Sequence, residues 1–256
     1  MTVTANAQTM DLRPTAAEFA ELSKGGHTLP IYREILADTD TPVSAYMKLR
    51  GECDHTFLFE SVEGGERGAR YCFLGIRPTQ IFRSRGQRVT IEDRVDGSSR
   101  TFEADPRQAL RKMMAPYTVA PQSGLPPFTG GAVGYLAYDG IRLVEDIPES
   151  ATDDLGLDDM VFGLYETVIA FDNLRHTILV IANARVSDGH SVVEAYADAR
   201  QRIDELEELL GRPITLPSLG ADGDMGAIRS NMPRAHYVEA IGRCLEYIRA
   251  GDIFQV

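Results

Sequence analysis

Tryptophan is absent from this sequence, and cysteine and histidine are sparse, with three and five residues in 256. Cys53, Cys72 and Cys244 form no Cys-x-x-Cys pair and are odd in number, which argues against a disulfide framework and against a thiolate metal site. They read as small, reduced core residues. The histidines, His27, His55, His176, His190 and His236, are scattered with no two at metal-ligand spacing, and read as surface or turn residues. No apolar run approaches the roughly 20 residues of a membrane-spanning helix. The start, MTVTANAQTMDLRPT, lacks the basic end and apolar stretch of a secretory signal, so a soluble, cytoplasmic protein without membrane contact is expected. Also missing are a Gly-x-Gly-x-x-Gly fingerprint, a Walker loop, a Gly-x-Ser-x-Gly elbow and a His-Glu-x-x-His helix. No catalytic constellation can be assembled from the residues present.

The remaining composition, 43% apolar and 25% charged, is enough for a sizeable core in one large domain or two small ones. The net charge of -12 is unevenly spread. Residues 1–49 hold 4 basic and 6 acidic groups, residues 50–112 hold 12 and 10, and residues 113–256 hold 10 and 22. An acidic second half and a self-balanced arginine-rich middle repel a phosphate backbone, which excludes nucleic acid as the expected partner. The acidic run Glu145, Asp146, Glu149, Asp153, Asp154, Asp158 and Asp159 lacks the alternation and central glycine of a calcium loop, and reads as a solvated loop.

Residues 15–22 (TAAEFAEL) and 42–49 (PVSAYMKL) read as short helices. From Thr56 onward TFLFES, RYCFLGI, TQIFRS, QRVTIE and RTFEA follow at strand-like intervals, predicting an antiparallel meander. A helix over RQALRKMM and a proline-rich linker over 116–127 come next. Residues 160–182 predict a hairpin with arms MVFGLYETVIAF and TILVIAN around the turn Asp172, Asn173, Leu174, Arg175. Two amphipathic helices follow, each expected to bury one face: Val192, Tyr196, Ala199, Ile203, Leu206 and Leu210 line the first, and Val238, Ile241, Leu245 and Ile248 the second. The second has a candidate cap at Ser230 or Asn231, Pro233 in its first turn and Gly251 past its end. Residues 252–256 (DIFQV) read as the opening of a strand, and with it a fragment is expected.

Short strands followed by long helices predict an α+β fold, largely antiparallel sheets packed face to face with flanking helices. The expected division is a poorly ordered 1–14, an α+β region over 15–210, a linker over 211–233, and a further, truncated domain beginning at 234–256.

Two segments hold distinctive chemistry. In a regular strand Phe57, Phe59 and Ser61 share one face and Leu58, Glu60 and Val62 the other, so Glu60 and Ser61 grip one ligand only if the strand ends or bulges there. A carboxylate beside a hydroxyl then matches the ammonium and carboxylate of a free amino acid. From the local sequence alone, exposed turn residues are the commoner meaning of this pair. The run from Gly130 to Asp139 (GGAVGYLAYD) lacks the spacing of a nucleotide loop and reads as a closely packed strand entering the core.

Taken in order, Phe57 to Ser61 with Gly64 and Gly65, Arg70 to Gly75, Gly130, Gly131, Gly134, Tyr135, Tyr138 and Asp139, and finally Tyr247, Ile248 and Ala250 to Val256 resemble the anthranilate synthase component I family. The resemblance runs from about Phe19 to the last residue. It implies the first committed step of tryptophan synthesis: chorismate plus ammonia to anthranilate and pyruvate, with Mg2+, ammonia coming from a glutamine amidotransferase partner (component II) in a hetero-oligomer. It also implies that Glu60 and Ser61, the counterpart of the family's Leu-Leu-Glu-Ser motif, help bind L-tryptophan as feedback inhibitor, with Arg70 where the family has a basic residue. The family's magnesium ligands, chorismate-binding residues and catalytic histidine lie beyond this chain, so no residue here is expected to be catalytic and the chain alone is expected to be inactive. Its half-site is expected to hold tryptophan poorly. The sister enzyme aminodeoxychorismate synthase component I is the nearest alternative; the Glu-Ser-Val-Glu-Gly-Gly run with the following Arg-Tyr favours the first assignment, and salicylate or isochorismate synthases have no use for the inhibitor motif. A non-catalytic tryptophan-binding module and a purely structural fragment are the alternatives of other classes.

Overall fold

The computed structural model describes residues 11–25, 28–52, 54–60, 70–119, 122–148, 152–186, 191–214 and 226–255. The chain divides into two compact units, Met1–Ile214 and Thr215–Val256.

In the first unit, β1 (Leu29–Leu36), β10 (Thr177–Ala184), β9 (Thr167–Asp172), β3 (Tyr71–Gly75) and β2 (Phe57–Phe59) form one sheet in that order. A second sheet runs β6 (Ser99–Glu103), β5 (Arg88–Asp93), β4 (Gln80–Arg85), β8 (Met160–Tyr165) and β7 (Gly131–Leu136). Every pairing is antiparallel. With α1 (Ala16–Leu22), α2 (Pro42–Leu49), α3 (Pro106–Met114) and α4 (Val192–Leu210) on the flanks, this is the expected α+β arrangement.

The helices begin where the sequence supplies caps. Thr15, Thr41 and Ser191 each close a capping box, with Glu18, Ser44 and Glu194 as the reciprocal partners, and Asp105 caps α3. α4 buries Ala195, Ala199, Ile203, Leu206 and Leu210 against a core that includes Phe19, Leu49, Leu74, Ile178 and Val180. Each fully buried Leu, Ile or Phe contributes about 1.5–3 kcal/mol. Lys48 Nζ donates to the Leu210 carbonyl at 2.6 Å, placing a cation at the negative end of α4. On the opposite face of the first sheet, Val168, Ala170, Leu179 and Ile181 pack with Phe57, Phe73, Phe128 and Val133. β10 is therefore buried over its whole length, which is why its sequence is an unbroken run with little polar alternation. The second sheet has its own core, where Phe82, Val89, Ile91 and Leu164 meet Ala109 and Met113 of α3.

Two expectations need correction. The five short runs do not make one meander: β2 and β3 belong to the first sheet, and only β4, β5 and β6 continue as a meander in the second. The arm over 160–171 is likewise two strands. β8 pairs with β4 and β7, β9 pairs with β3 and β10, and Glu166 is the single residue between them. Alternation and β-branching mark a strand equally well in either sheet, so local pattern carries no information about which partner it takes.

The second unit contains α5 (Arg234–Ala250). Its N-cap position is Pro233, with no side-chain cap; Ser230 instead closes a local turn, accepting from the Met232 N–H at 3.2 Å and donating to the Met232 carbonyl at 2.9 Å. Gly251 ends the helix in the left-handed region at φ 82°, as expected of a C-terminal glycine. The expectation that this helix buries one face is overturned: Val238, Ile241, Leu245 and Ile248 are all exposed. Among the described residues of this unit no second helix or strand is present to cover them. Residues 252–255 take no strand pairing either.

The seam at Glu166 is electrostatically loaded. Burial pushes the Glu166 carboxyl above its ordinary value, against the opposing pull of Arg202 and Arg185. Arg202 Nη1 stands 3.7 Å from Glu166 Oε2. The same arginine donates to Thr167 Oγ1 at 3.0 Å and to the Asn183 carbonyl at 2.8 Å, tying α4 to β9 and β10. Tyr117 beside it is pushed up to about 12, by burial first and by the Glu166 charge second.

A folded-state value above the unfolded one means that the native state holds a proton the unfolded state releases as pH rises past about 4.3. Glu166 thus costs stability on going from acid to neutral pH. Glu166→Gln is expected to gain stability relative to the parent between pH 4 and pH 7, read as the difference in melting temperature at the two pH values. A second expectation concerns Gly134 of β7, where a Cβ would run into the Val161 carbonyl and come within 2.7 Å of the Phe162 Cα. Gly134→Ala is expected to loosen the β7–β8 pairing and cost about 1–3 kcal/mol in urea denaturation.

Candidate functional site

The antiparallel pairing of β2 with β3 sets Phe57 opposite Gly75, Leu58 opposite Leu74 and Phe59 opposite Phe73. β3 in turn pairs with β9, placing Tyr71 opposite Asp172. The end of β2, the start of β3 and the β9–β10 turn therefore meet at one end of the first sheet. Glu60 follows β2 directly and is exposed, and Arg70 precedes β3 directly. The strand that would have set Glu60 and its successor on opposite faces stops at Phe59, so strand alternation does not constrain Glu60. Ser61, the neighbouring predicted site residue, lies outside the described residues.

Arg70 is held in place by contacts the sequence did not suggest. Its Nε donates to both carboxylate oxygens of Asp172, at 3.1 and 3.2 Å, and its Nη2 donates to Oδ2 at 2.7 Å. Its backbone carbonyl accepts from the Asn173 N–H at 2.8 Å, and its guanidinium carbon lies 4.7 Å from the centroid of the Tyr71 ring. Asp172 is buried and also accepts from the N–H groups of Leu174 and Arg175 at 3.1 and 3.2 Å, closing the turn locally. Burial pushes the Asp172 carboxyl up, but the Arg70 fork and the two backbone donors outweigh it and hold it below the ordinary aspartate value. The hydrogen bond from Arg70 to Asp172 raises Arg70 in return.

Asp172 is the residue at this corner that sequence reasoning missed. It stood in the predicted turn, where Asp needs no further explanation, and its partner is 102 residues away along the chain. Only the pairing of β3 with β9 brings them together.

Elsewhere, the acidic loop is engaged in structure. Asp153 pairs with Arg85, Asp158 Oδ2 lies 3.4 Å from Arg83 Nη1, and Asp159 accepts from the Gly86 N–H at 2.6 Å. Among the described residues, no group of three or more His, Cys, Asp or Glu comes together as a metal site. Expected at the surface or in a turn, His55 is instead partly buried with Nε2 3.1 Å from Arg83 Nη2; burial, and then the charges of Arg83 and Arg94, lower its proton affinity. No helix among the described residues is long and apolar enough to cross a membrane.

Comparison with known proteins gives this corner its context. The chorismate binding enzyme family matches residues 54–256. Anthranilate synthase component 1 from Acinetobacter calcoaceticus is 37% identical over 247 residues, covering 93% of this chain and 48% of that protein. The protein of the same name from Cereibacter sphaeroides is 39% identical over 237 residues, covering 91% and 47%. A crystal structure of anthranilate synthase component I from Streptococcus pneumoniae TIGR4 superposes with a TM-score of 0.51 at 25% identity, covering 85% of this chain and 46% of that one. The chain spans about half the length of the curated relatives it matches. The ordered series of motifs, the paired antiparallel sheets and these matches lead to one assignment: the chain belongs to the chorismate-binding enzyme family and resembles anthranilate synthase component I.

Proposed function

We propose that this chain is the inhibitor-binding part of an anthranilate synthase component I, an enzyme that converts chorismate and ammonia to anthranilate and pyruvate in the cytoplasm. The observation that carries the reading is the placement of Glu60 just after β2 and Arg70 just before its partner strand β3, at one end of the first sheet, in a chain whose similarity to proteins of that name extends over 93% of its length. An exposed carboxylate offers an acceptor to an ammonium, and a guanidinium offers donors to a carboxylate. Together with the hydroxyl of Ser61 they suit the zwitterionic end of L-tryptophan, the feedback inhibitor. Ammonia is supplied by a glutamine amidotransferase subunit bound to the full-length protein.

Among the described residues no three His, Cys, Asp or Glu side chains come together to hold a metal ion, and on this reading the ligands of the Mg2+ implied by the resemblance belong to the rest of the full-length protein. The chain by itself is inactive on this reading, because the residues that act on chorismate are not in it. Half of an inhibitor site also forfeits many of the contacts that hold a ligand.

The decisive assay uses the chain extended to the full length of its relatives, supplied with chorismate, ammonium and Mg2+. Fluorescent anthranilate that falls as L-tryptophan is added is the expected result; aminodeoxychorismate as product overturns the reading. Ser61→Ala is expected to raise the L-tryptophan concentration for half-inhibition about tenfold, the loss of one charge-assisted hydrogen bond.

A further inference from the structure

We propose that Asp172 is a positioning residue that fixes the Arg70 guanidinium to receive the carboxylate of a free amino acid; the inference rests on the inhibitor reading above. Three observations lead to it. Asp172 is 3% exposed and Arg70 is 32% exposed, so the carboxylate is the anchored member of the pair and the guanidinium the presented one. Asp172 is fixed independently of Arg70, by the N–H groups of Leu174 and Arg175 in its own turn. Arg70 commits its Nε and Nη2 to this anchor and its cation to the Tyr71 ring, and among the described residues Nη1 has no hydrogen-bond partner.

An arginine pinned along one edge has already lost the rotamer freedom that binding would otherwise cost. Its remaining donors keep the planar geometry that suits a carboxylate. The pair is also formally neutral. It therefore gathers simple anions weakly, while a zwitterion that brings its own ammonium to an acceptor such as Glu60 finds both of its charges matched. Asp172 touches no ligand in this arrangement. It acts through Arg70.

The test compares L-tryptophan with tryptamine, which lacks the carboxylate, by calorimetry on the same full-length protein. Asp172→Asn keeps Oδ1 as acceptor for the turn but removes the charge that holds the fork. It is expected to weaken L-tryptophan binding about tenfold while leaving tryptamine binding unchanged, and to add nothing further when combined with Arg70→Ala. Asp172→Ser, whose hydroxyl can still accept from the turn N–H groups, is expected to show the same selective loss, and serves if Asp172→Asn does not fold. Loss of both ligands to the same degree, or of neither, overturns the proposal by reducing Asp172 to a structural clasp. Failure of the parent protein to bind L-tryptophan at millimolar concentration is a distinct result: it removes the inhibitor reading itself, and the role of Asp172 with it.

Discussion

A strand that serves two sheets cannot stay regular through the crossing, and the turn between Tyr165 and Thr167 is where this chain accepts that constraint. β8 is paired on both edges in the second sheet and β9 on both edges in the first, with Glu166 alone between them. Because one residue cannot span a gap, the two sheets are tied close at this point. Arg202 secures the junction from α4 through Thr167 and the Asn183 carbonyl, and Asn183 uses its own side chain to hold the Thr129 carbonyl at 2.7 Å. The loop that enters β7 is thereby fixed to the same place. Gly130 is needed there: its φ of 138° and the closeness of the Asn183 side chain leave no room for a Cβ.

The candidate site stands at the far end of the strand that begins at this seam. β9 opens with Thr167, bound to Arg202, and closes with Asp172, bound to Arg70. It is also covered on both faces: Ile169 and Phe171 lie in the core beneath the helices, and Val168 and Ala170 in the core shared with Phe128 and Val133. A strand paired on both edges and buried on both faces is a stiff support, which suits a corner whose function would be to hold donors and acceptors in fixed positions. Arg70 is thereby fixed by β9 and the turn that follows it.

Much of the architecture was legible from side-chain pattern. The helices over 15–22, 42–49 and RQALRKMM were read at their places, and the structure shows Thr15, Thr41 and Asp105 satisfying N–H groups at their starts. The α4 stripe is visible because an apolar face repeats with the helix turn. Glu60 and Arg70 were legible as candidates by type and by motif. Three features were not: the change of sheet between β3 and β4, the break at Glu166, and the exposed face of α5. Each depends on which surface lies opposite, and an apolar residue has the same sequence signature whether or not that surface is present.

What the sequence determined by itself is thus the set of local decisions: where helices start and stop, which runs are strands, which faces are apolar, and membership in a family through the order of its motifs. Local hydrogen bonding and residue volume decide these within a few positions along the chain. The tertiary structure alone decided that Asp172, in a turn with its own local explanation, is the anchor of Arg70. Tyr71 and Asp172 face each other because β3 and β9 pair, which brings Arg70 to a partner 102 positions along the chain, and that pairing is set by the burial of the whole sheet. No property of Asp172 within its own stretch of sequence distinguishes it from any other turn aspartate.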